Sequence, residues 1–167
     1  GDLALLLPLP QRLVEQLDAR HEDEHGGGVG LALGRQLFGD LKSGEGLAAA
    51  DILRVKPGGA LVYEKVARYD EALKKYVAVP IDLSSTTDQI FLVLYGTGIR
   101  FRTALSNVTA TVGGTVASVE FAGLQGMLLG LDQVNIRLSG SLAGRGDVNV
   151  VLMVDNKPAK TVLVNIK

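Results

Sequence analysis

Hydrophobic and polar positions alternate most regularly in the last third of the chain. Val108-Thr-Ala-Thr-Val112, Val116-Ala-Ser-Val-Glu-Phe121, Gln133-Val-Asn-Ile-Arg-Leu138, Asp147-Val-Asn-Val-Val-Leu-Met-Val154 and Lys160-Thr-Val-Leu-Val-Asn-Ile166 follow one another with turn residues between them. A period of two with β-branched residues on one side predicts half-buried strands, and several short strands in succession predict an antiparallel β-sandwich. Val134, Ile136, Val148, Val150, Leu152, Val162 and Val164 are the positions that this alternation turns inward. Gly113-Gly114 and Asp155-Asn-Lys157 supply the chemistry of tight hairpins.

Upstream, the same reading gives Ile52-Leu-Arg-Val55, a Pro57-Gly-Gly59 turn, Leu61 to Tyr69, a polar turn at Asp70-Glu71, and Lys75-Tyr-Val-Ala-Val79, read together as a three-stranded meander. Ile90-Phe-Leu-Val-Leu-Tyr95 is apolar on both faces and reads as a central strand ended by Gly96-Thr-Gly98. About nine strands are expected from this count. Before Ala50 the pattern changes. Pro10 suits a first helical turn, and Leu13, Val14 and Leu17 lie three and four apart, predicting a helix from Pro10 to about His25 that stops at Gly26-Gly-Gly28. Val29, Leu31 and Leu33 then alternate with small residues, as a weak strand or the start of a second short helix.

Composition sharpens this division. Residues 1–46 hold eight acidic and four basic residues and both histidines, whereas residues 47–167 hold ten acidic and thirteen basic. The chain therefore divides into an N-terminal helical segment, 1–46, and a β-sandwich domain, 47–167. With no cysteine, disulfides, thiolate metal sites and cysteine nucleophiles are excluded. A net charge of -1 with scattered Lys and Arg gives no nucleic-acid footprint, and 5% aromatics without Trp disfavours stacking platforms for bases or sugars. The run Leu3 to Leu7 is cut by Pro8 and is too short for a signal peptide or a membrane span.

Several blocks in the β region carry a family resemblance. Gly46-Leu-Ala-Ala-Ala-Asp-Ile-Leu-Arg-Val55, Asp88 to Arg100, Leu105 to Gly114, Gly130-Leu-Asp-Gln-Val-Asn135 and Leu142 to Val148 resemble, in order, the uncharacterised C-terminal domain family of acidobacterial (Solibacter-type) secreted proteins. The resemblance implies an immunoglobulin-like sandwich, a secreted or extracellular location and an accessory role; it supplies no catalytic residues. It also implies further strands where the chain has its first 43 residues. Cover for the resulting sheet edge is expected from Val29 to Leu33 or from a second copy of the chain.

The one constellation with metal chemistry is His21-Glu-Asp-Glu-His25, which fits H-E-x-x-H. On a helix, positions four apart share a face, so His21 and His25 can hold one Zn²⁺ while Glu22 acts as general base on the bound water. The third ligand has no identifiable candidate: there is no further histidine, Asp40 and Glu45 lie in no recognisable motif, and Leu31 stands where the longer metzincin pattern has its last ligand. A solvated acidic helix end explains the five residues more simply. Arg145-Gly-Asp147, Gly96-Thr-Gly98 and Asn107-Val-Thr109 read as turn or strand residues rather than as an integrin tripeptide, a phosphate loop or a glycosylation site. Asp132, Gln133 and Asn135 read as turn and edge residues rather than as a sugar site.

The expectation is thus a mainly β, immunoglobulin-like sandwich with a short N-terminal helical segment, acting as a non-catalytic extracellular module for binding or spacing in an exported bacterial protein. The alternative is a small zinc-dependent hydrolase of protease or esterase type with Glu22 as its catalytic residue and His21 and His25 as metal ligands. No cofactor is expected under the first reading, and zinc under the second. Expected partners are a protein or cell-surface molecule, and a second copy of the chain through exposed sheet edges; nucleic acid and a membrane span are not expected.

Overall fold

The computed structural model of the chain describes residues 36–37, 46–126 and 129–167. The helix expected from Pro10 to His25, and the segment Val29 to Leu33, lie outside them. The strands are β1 (Gln36–Leu37), β2 (Ala50–Val55), β3 (Leu61–Lys65), β4 (Ala67–Asp70), β5 (Lys75–Ala78), β6 (Gln89–Thr97), β7 (Val108–Val112), β8 (Thr115–Ala117), β9 (Val119–Leu124), β10 (Asp132–Arg137), β11 (Gly146–Val154), β12 (Lys157–Pro158) and β13 (Val162–Ile166).

Two antiparallel sheets share the core. The first runs β3-β2-β6-β10-β9, with β1 added to β6 beyond the start of β2, Leu37 opposite Gly96 and Gln36 opposite Thr97. The second runs β12-β11-β7-β8, with β13 continuing the flank of β11 that β12 begins. Between them pack Ile52, Leu92, Leu94, Val134 and Ile136 from one side and Val112, Val150, Leu152 and Val164 from the other. Each such side chain contributes about 1.5–3 kcal/mol by leaving water. All seven inward positions that the alternation selects are buried.

The second sheet follows its sequence closely. In β11, Val148, Val150, Leu152 and Val154 are buried while Asp147, Asn149 and Met153 are exposed, the signature of a strand with one wet face. Gly113 and Gly114 take φ of 57° and 76°, and Asp155 and Asn156 take 47° and 61°, the left-handed angles of two-residue hairpins.

Two parts of the expected strand pattern are corrected. Leu61 to Tyr69 is not one strand, because Val66 breaks it: Val66 is 2% exposed and plugs the main core, whereas Leu61, Val62 and Tyr63 remain exposed on β3. Beyond it β4 and β5 form a separate two-stranded ribbon tied to the sandwich by the Val79 amide on the Val66 carbonyl, 2.9 Å. Val116 to Phe121 is likewise two strands. The chain leaves the second sheet after Ala117 and enters the first at Val119, while the Ser118 carbonyl accepts from the Arg137 amide at 2.9 Å. Bending between sheets lets one chain segment serve both layers.

The free flank of β13 is closed by parallel bridges. Leu47 pairs with Leu163 and Ile81 with Ile166, through four backbone hydrogen bonds of 2.8–3.0 Å.

Candidate functional site

The outward face of the first sheet is where this fold departs from a sandwich with two wet exteriors. Because Ile52, Leu92, Leu94, Val134 and Ile136 point inward, their neighbours in sequence point away from the second sheet. Register places Lys65, Asp51, Val93, Asn135 and Phe121 in one row across the strands. Tyr63, Leu53, Phe91 and Arg137 form the next row, Leu61, Val55 and Gln89 the one beyond, and Tyr95, Gln133 and Gly123 lie on the opposite side. Leu53, Val55, Val93, Tyr95 and Leu131 form a second buried apolar cluster there, with Phe91 packed against it.

Polar groups are embedded in this cluster. Asp51 is 2% exposed and accepts from Lys65 Nζ at 3.1 Å and from the Tyr95 hydroxyl at 3.3 Å. Burial pushes the Asp51 carboxyl above its ordinary range, against the opposing pull of the Lys65 ammonium and the two hydrogen bonds. Burial and the nearby Asp51 charge raise both phenols, Tyr63 to about 12 and Tyr95 further. Gln133 and Asn135, also buried, are joined by a hydrogen bond that Gln133 Nε2 donates to Asn135 Oδ1 at 2.7 Å. Arg137 sits over the Phe91 ring, 5.9 Å from its centroid. A Cβ at Gly123 would stand 3.4 Å from Phe121 Cζ and 3.6 Å from Arg102 Nη1, so the bare backbone here gives room to both. Among the described residues, Arg102 Nε is buried with no hydrogen-bond partner.

At one end of the sandwich, Asp132 is fully buried. Its Oδ2 accepts from the amides of Ile99 (2.6 Å) and Arg100 (3.0 Å), and its Oδ1 accepts from Arg100 Nε. Arg100 Nη2 also donates to the Leu131 carbonyl at 2.9 Å. The left-handed Gly98, φ 77°, starts the short 3-10 turn Ile99–Phe101 that presents those amides. At the other end, Arg54 makes a two-pronged pair with Glu64 (2.7 and 3.1 Å), reaches the Asp82 carbonyl at 2.9 Å, and approaches Asp88, which Lys56 also contacts at 2.8 Å. The Lys56 hydrogen bond is the main cause holding Asp88 below the usual carboxylate range, and hydrogen bonds from Ser84 lower Asp82 to about 2. In each cluster the donors and acceptors engage backbone and neighbouring side chains, so the chemistry they perform is fixing loops and strand ends.

The residues singled out from sequence fall as follows. His21, Glu22 and His25 lie outside the described residues. Among the described residues no three His, Cys, Asp or Glu side chains are grouped as for a metal ion, and no helix is long and apolar enough to cross a membrane. Arg145, Gly146 and Asp147 are a strand entry: Arg145 donates to the Gly113 carbonyl and Thr115 Oγ1, Gly146 has φ 67°, and Asp147 accepts from Asn165. Asn107 ends a 3-10 turn and donates to Thr103 Oγ1. Asp132, Gln133 and Asn135 require a correction. They are interior rather than edge residues, because β10 lies between β6 and β9 and all three are buried. Asp51 was legible only as a charged residue beside apolar ones; the face it occupies is set by strand pairing. Elsewhere, a cleft is lined by Gly46, Asn149, Lys160, Thr161, Val162 and Leu163, without a cluster of reactive groups among them.

No family model, curated protein or solved structure matches this chain.

Proposed function

We propose that the chain is a non-catalytic, immunoglobulin-like β-sandwich module of an exported bacterial protein, binding a protein or cell-surface partner or spacing neighbouring domains. The observation that carries this reading is strand order. Taking β2, β6, β10 and β9 as A, B, E and D, and β13, β11, β7 and β8 as G, F, C and C′, the two sheets read A-B-E-D and G-F-C-C′. This order supports the immunoglobulin-like reading, under which residues 61–78 are an insertion between A and B. The polar clusters at both ends favour a scaffold over a reaction centre, and the resemblance of the β blocks is what supports the extracellular part of the reading. A sandwich of this order hosts many activities, so the site rather than the fold decides.

The experiment that separates this from a zinc hydrolase is metal analysis after incubation with zinc and dialysis, together with hydrolysis of protein and ester substrates. Less than stoichiometric zinc and no hydrolysis are expected. Stoichiometric zinc that His21→Ala or His25→Ala abolishes, with hydrolysis that Glu22→Gln removes while the metal stays, overturns the module reading.

A further inference from the structure

We propose that β3 is a docking edge for a second copy of this chain, whose own β3 pairs with it antiparallel about a twofold axis at Tyr63, whatever partner the module as a whole binds. An edge strand carries a row of backbone groups with no neighbour, and folds normally guard such a row. The other flanks here are guarded. β13 is closed by the parallel bridges to Leu47 and Ile81, and β8 is only three residues long. The pairing of β9 is bulged at Asn135/Ile136, and the 3-10 turn Ile99–Phe101 lies beside it. On β3, by contrast, Leu61, Val62 and Tyr63 are 41%, 40% and 37% exposed, and no described strand lies on its far side. Its two charges are engaged by β2: Glu64 is held by Arg54 at 2.7 Å and Lys65 by Asp51 at 3.1 Å.

The ladder fixes which backbone groups face outward. The Lys56 amide donates to the Ala60 carbonyl at 2.8 Å, and the Tyr95 amide donates to the Ala49 carbonyl at 3.0 Å. Bonded and non-bonded pairs alternate along an antiparallel ladder. On β2, Ile52 and Arg54 therefore bond toward β3, while Asp51, Leu53 and Val55 bond toward β6. On β3, Val62 and Glu64 are used in the same ladder, and the N–H and C=O groups of Leu61, Tyr63 and Lys65 point to the free edge.

That row is self-complementary. With Tyr63 opposite Tyr63 of the second copy and Leu61 opposite its Lys65, all three residues exchange bonds, about six in total. Sliding the copies by two residues leaves about four, and in one direction it sets Glu64 against Glu64. The symmetric register instead puts Glu64 opposite Val62, lays the Lys65 stem along Leu61 and brings the two Tyr63 side chains together. A contact of this kind uses the same patch on both copies and closes at two.

The full chain tests this in two ways. Sedimentation velocity from about 10 µM to about 1 mM is expected to show monomer passing to dimer. The association is weak, because five residues a side bury less than a standard interface. Tyr63→Pro keeps every bond to β2, since the Tyr63 amide faces the free edge, yet it removes the two central bonds and sets a ring in the path of the second strand. With its circular dichroism unchanged, its dissociation constant rises at least about tenfold. The absence of cysteine lets the register be read without a folded proline variant. Under mild oxidation Tyr63→Cys is expected to form an interchain disulfide, because residues opposite each other in a bonded pair lie about 5.5 Å apart at Cα, inside the disulfide range. In Leu61→Cys the two substituted positions stand about 15 Å apart, and cross-linking is at least about tenfold slower. A native chain monomeric to about 1 mM, a Tyr63→Pro dimer as tight as the native one, or cross-linking of Leu61→Cys as fast as that of Tyr63→Cys overturns the proposal.

Discussion

Replacing Asp132 by alanine tests whether the buried carboxylate is what holds the end of the sandwich. Native Asp132 accepts from two backbone amides and from Arg100 Nε, and it is fully buried. Alanine leaves the Ile99 amide, on a residue that is itself 0% exposed, without an acceptor that water could replace. Removing one partner from a buried charge pair costs about 3–5 kcal/mol, and the stranded amide keeps the value from falling below that range. Arg100→Ala is milder, about 1–2 kcal/mol, because the carboxylate retains both amides and the guanidinium side chain is 21% exposed. Urea unfolding followed by circular dichroism measures both. With a slope of about 2 kcal/mol per molar, Asp132→Ala lowers the midpoint by about 1.5–2.5 M and Arg100→Ala by no more than about 1 M. The double variant costs less than the sum of the two, because both remove the same ion pair. A loss under about 1 kcal/mol for Asp132→Ala would refute the assignment of the cluster as a structural anchor.

Two further perturbations probe the sheet face and the hairpin. Asp51 has a folded pKa above its unfolded value near 3.8, so the folded state binds the extra proton and native stability falls as pH rises from about 4 through the folded value. Asp51→Asn lacks that fall, and its unfolding free energy relative to the native chain therefore improves over the same window; a pH-independent difference would show that Asp51 is not desolvated. Asp82, lowered to about 2, acts oppositely: the stability it adds is present above about 4 and lost as pH falls toward 2, for both proteins alike. In the β7–β8 turn, Gly114→Ala costs about 1 kcal/mol for its left-handed backbone. Gly113→Ala costs more, because its Cβ would stand 3.2 Å from Val148 Cγ1; equal thermal shifts for the two variants would contradict this.

The second sheet was legible because its outer face is wet: Asn149 and Met153 alternate with Val148, Val150 and Leu152, and a period of two states which side is inside. The first sheet was less so. In β2, five consecutive residues from Asp51 to Val55 are buried, and in β10 the five from Asp132 to Ile136 are, so alternation no longer separates core from exterior. Polar residues such as Asp132 and Asn135 then resemble turn or edge residues until long-range pairing supplies their partners, as when Asp132 meets Arg100 across 32 positions. The break at Val66 is not legible in the sequence for a related reason: a valine in a run of strand formers carries no local mark that it leaves its sheet for the core. The candidate face depended on which residues lie opposite one another on four pairs of strands, and a single sequence holds that information only through its folded register.

The parallel bridges on β13 have a mechanical meaning. Gly46 and Lys167 take part directly in the bonds that flank β13, through the Gly46 carbonyl to the Leu163 amide and the Lys167 amide to the Ile81 carbonyl. Tension applied between residues 46 and 167 draws two parallel segments past each other along their lengths. The Ala48–Leu163 and Leu163–Gly46 bonds then share the load in shear, instead of opening one at a time as in a peeled hairpin. A domain wired in this way resists extension most strongly along the line on which a chain of linked domains would pull it.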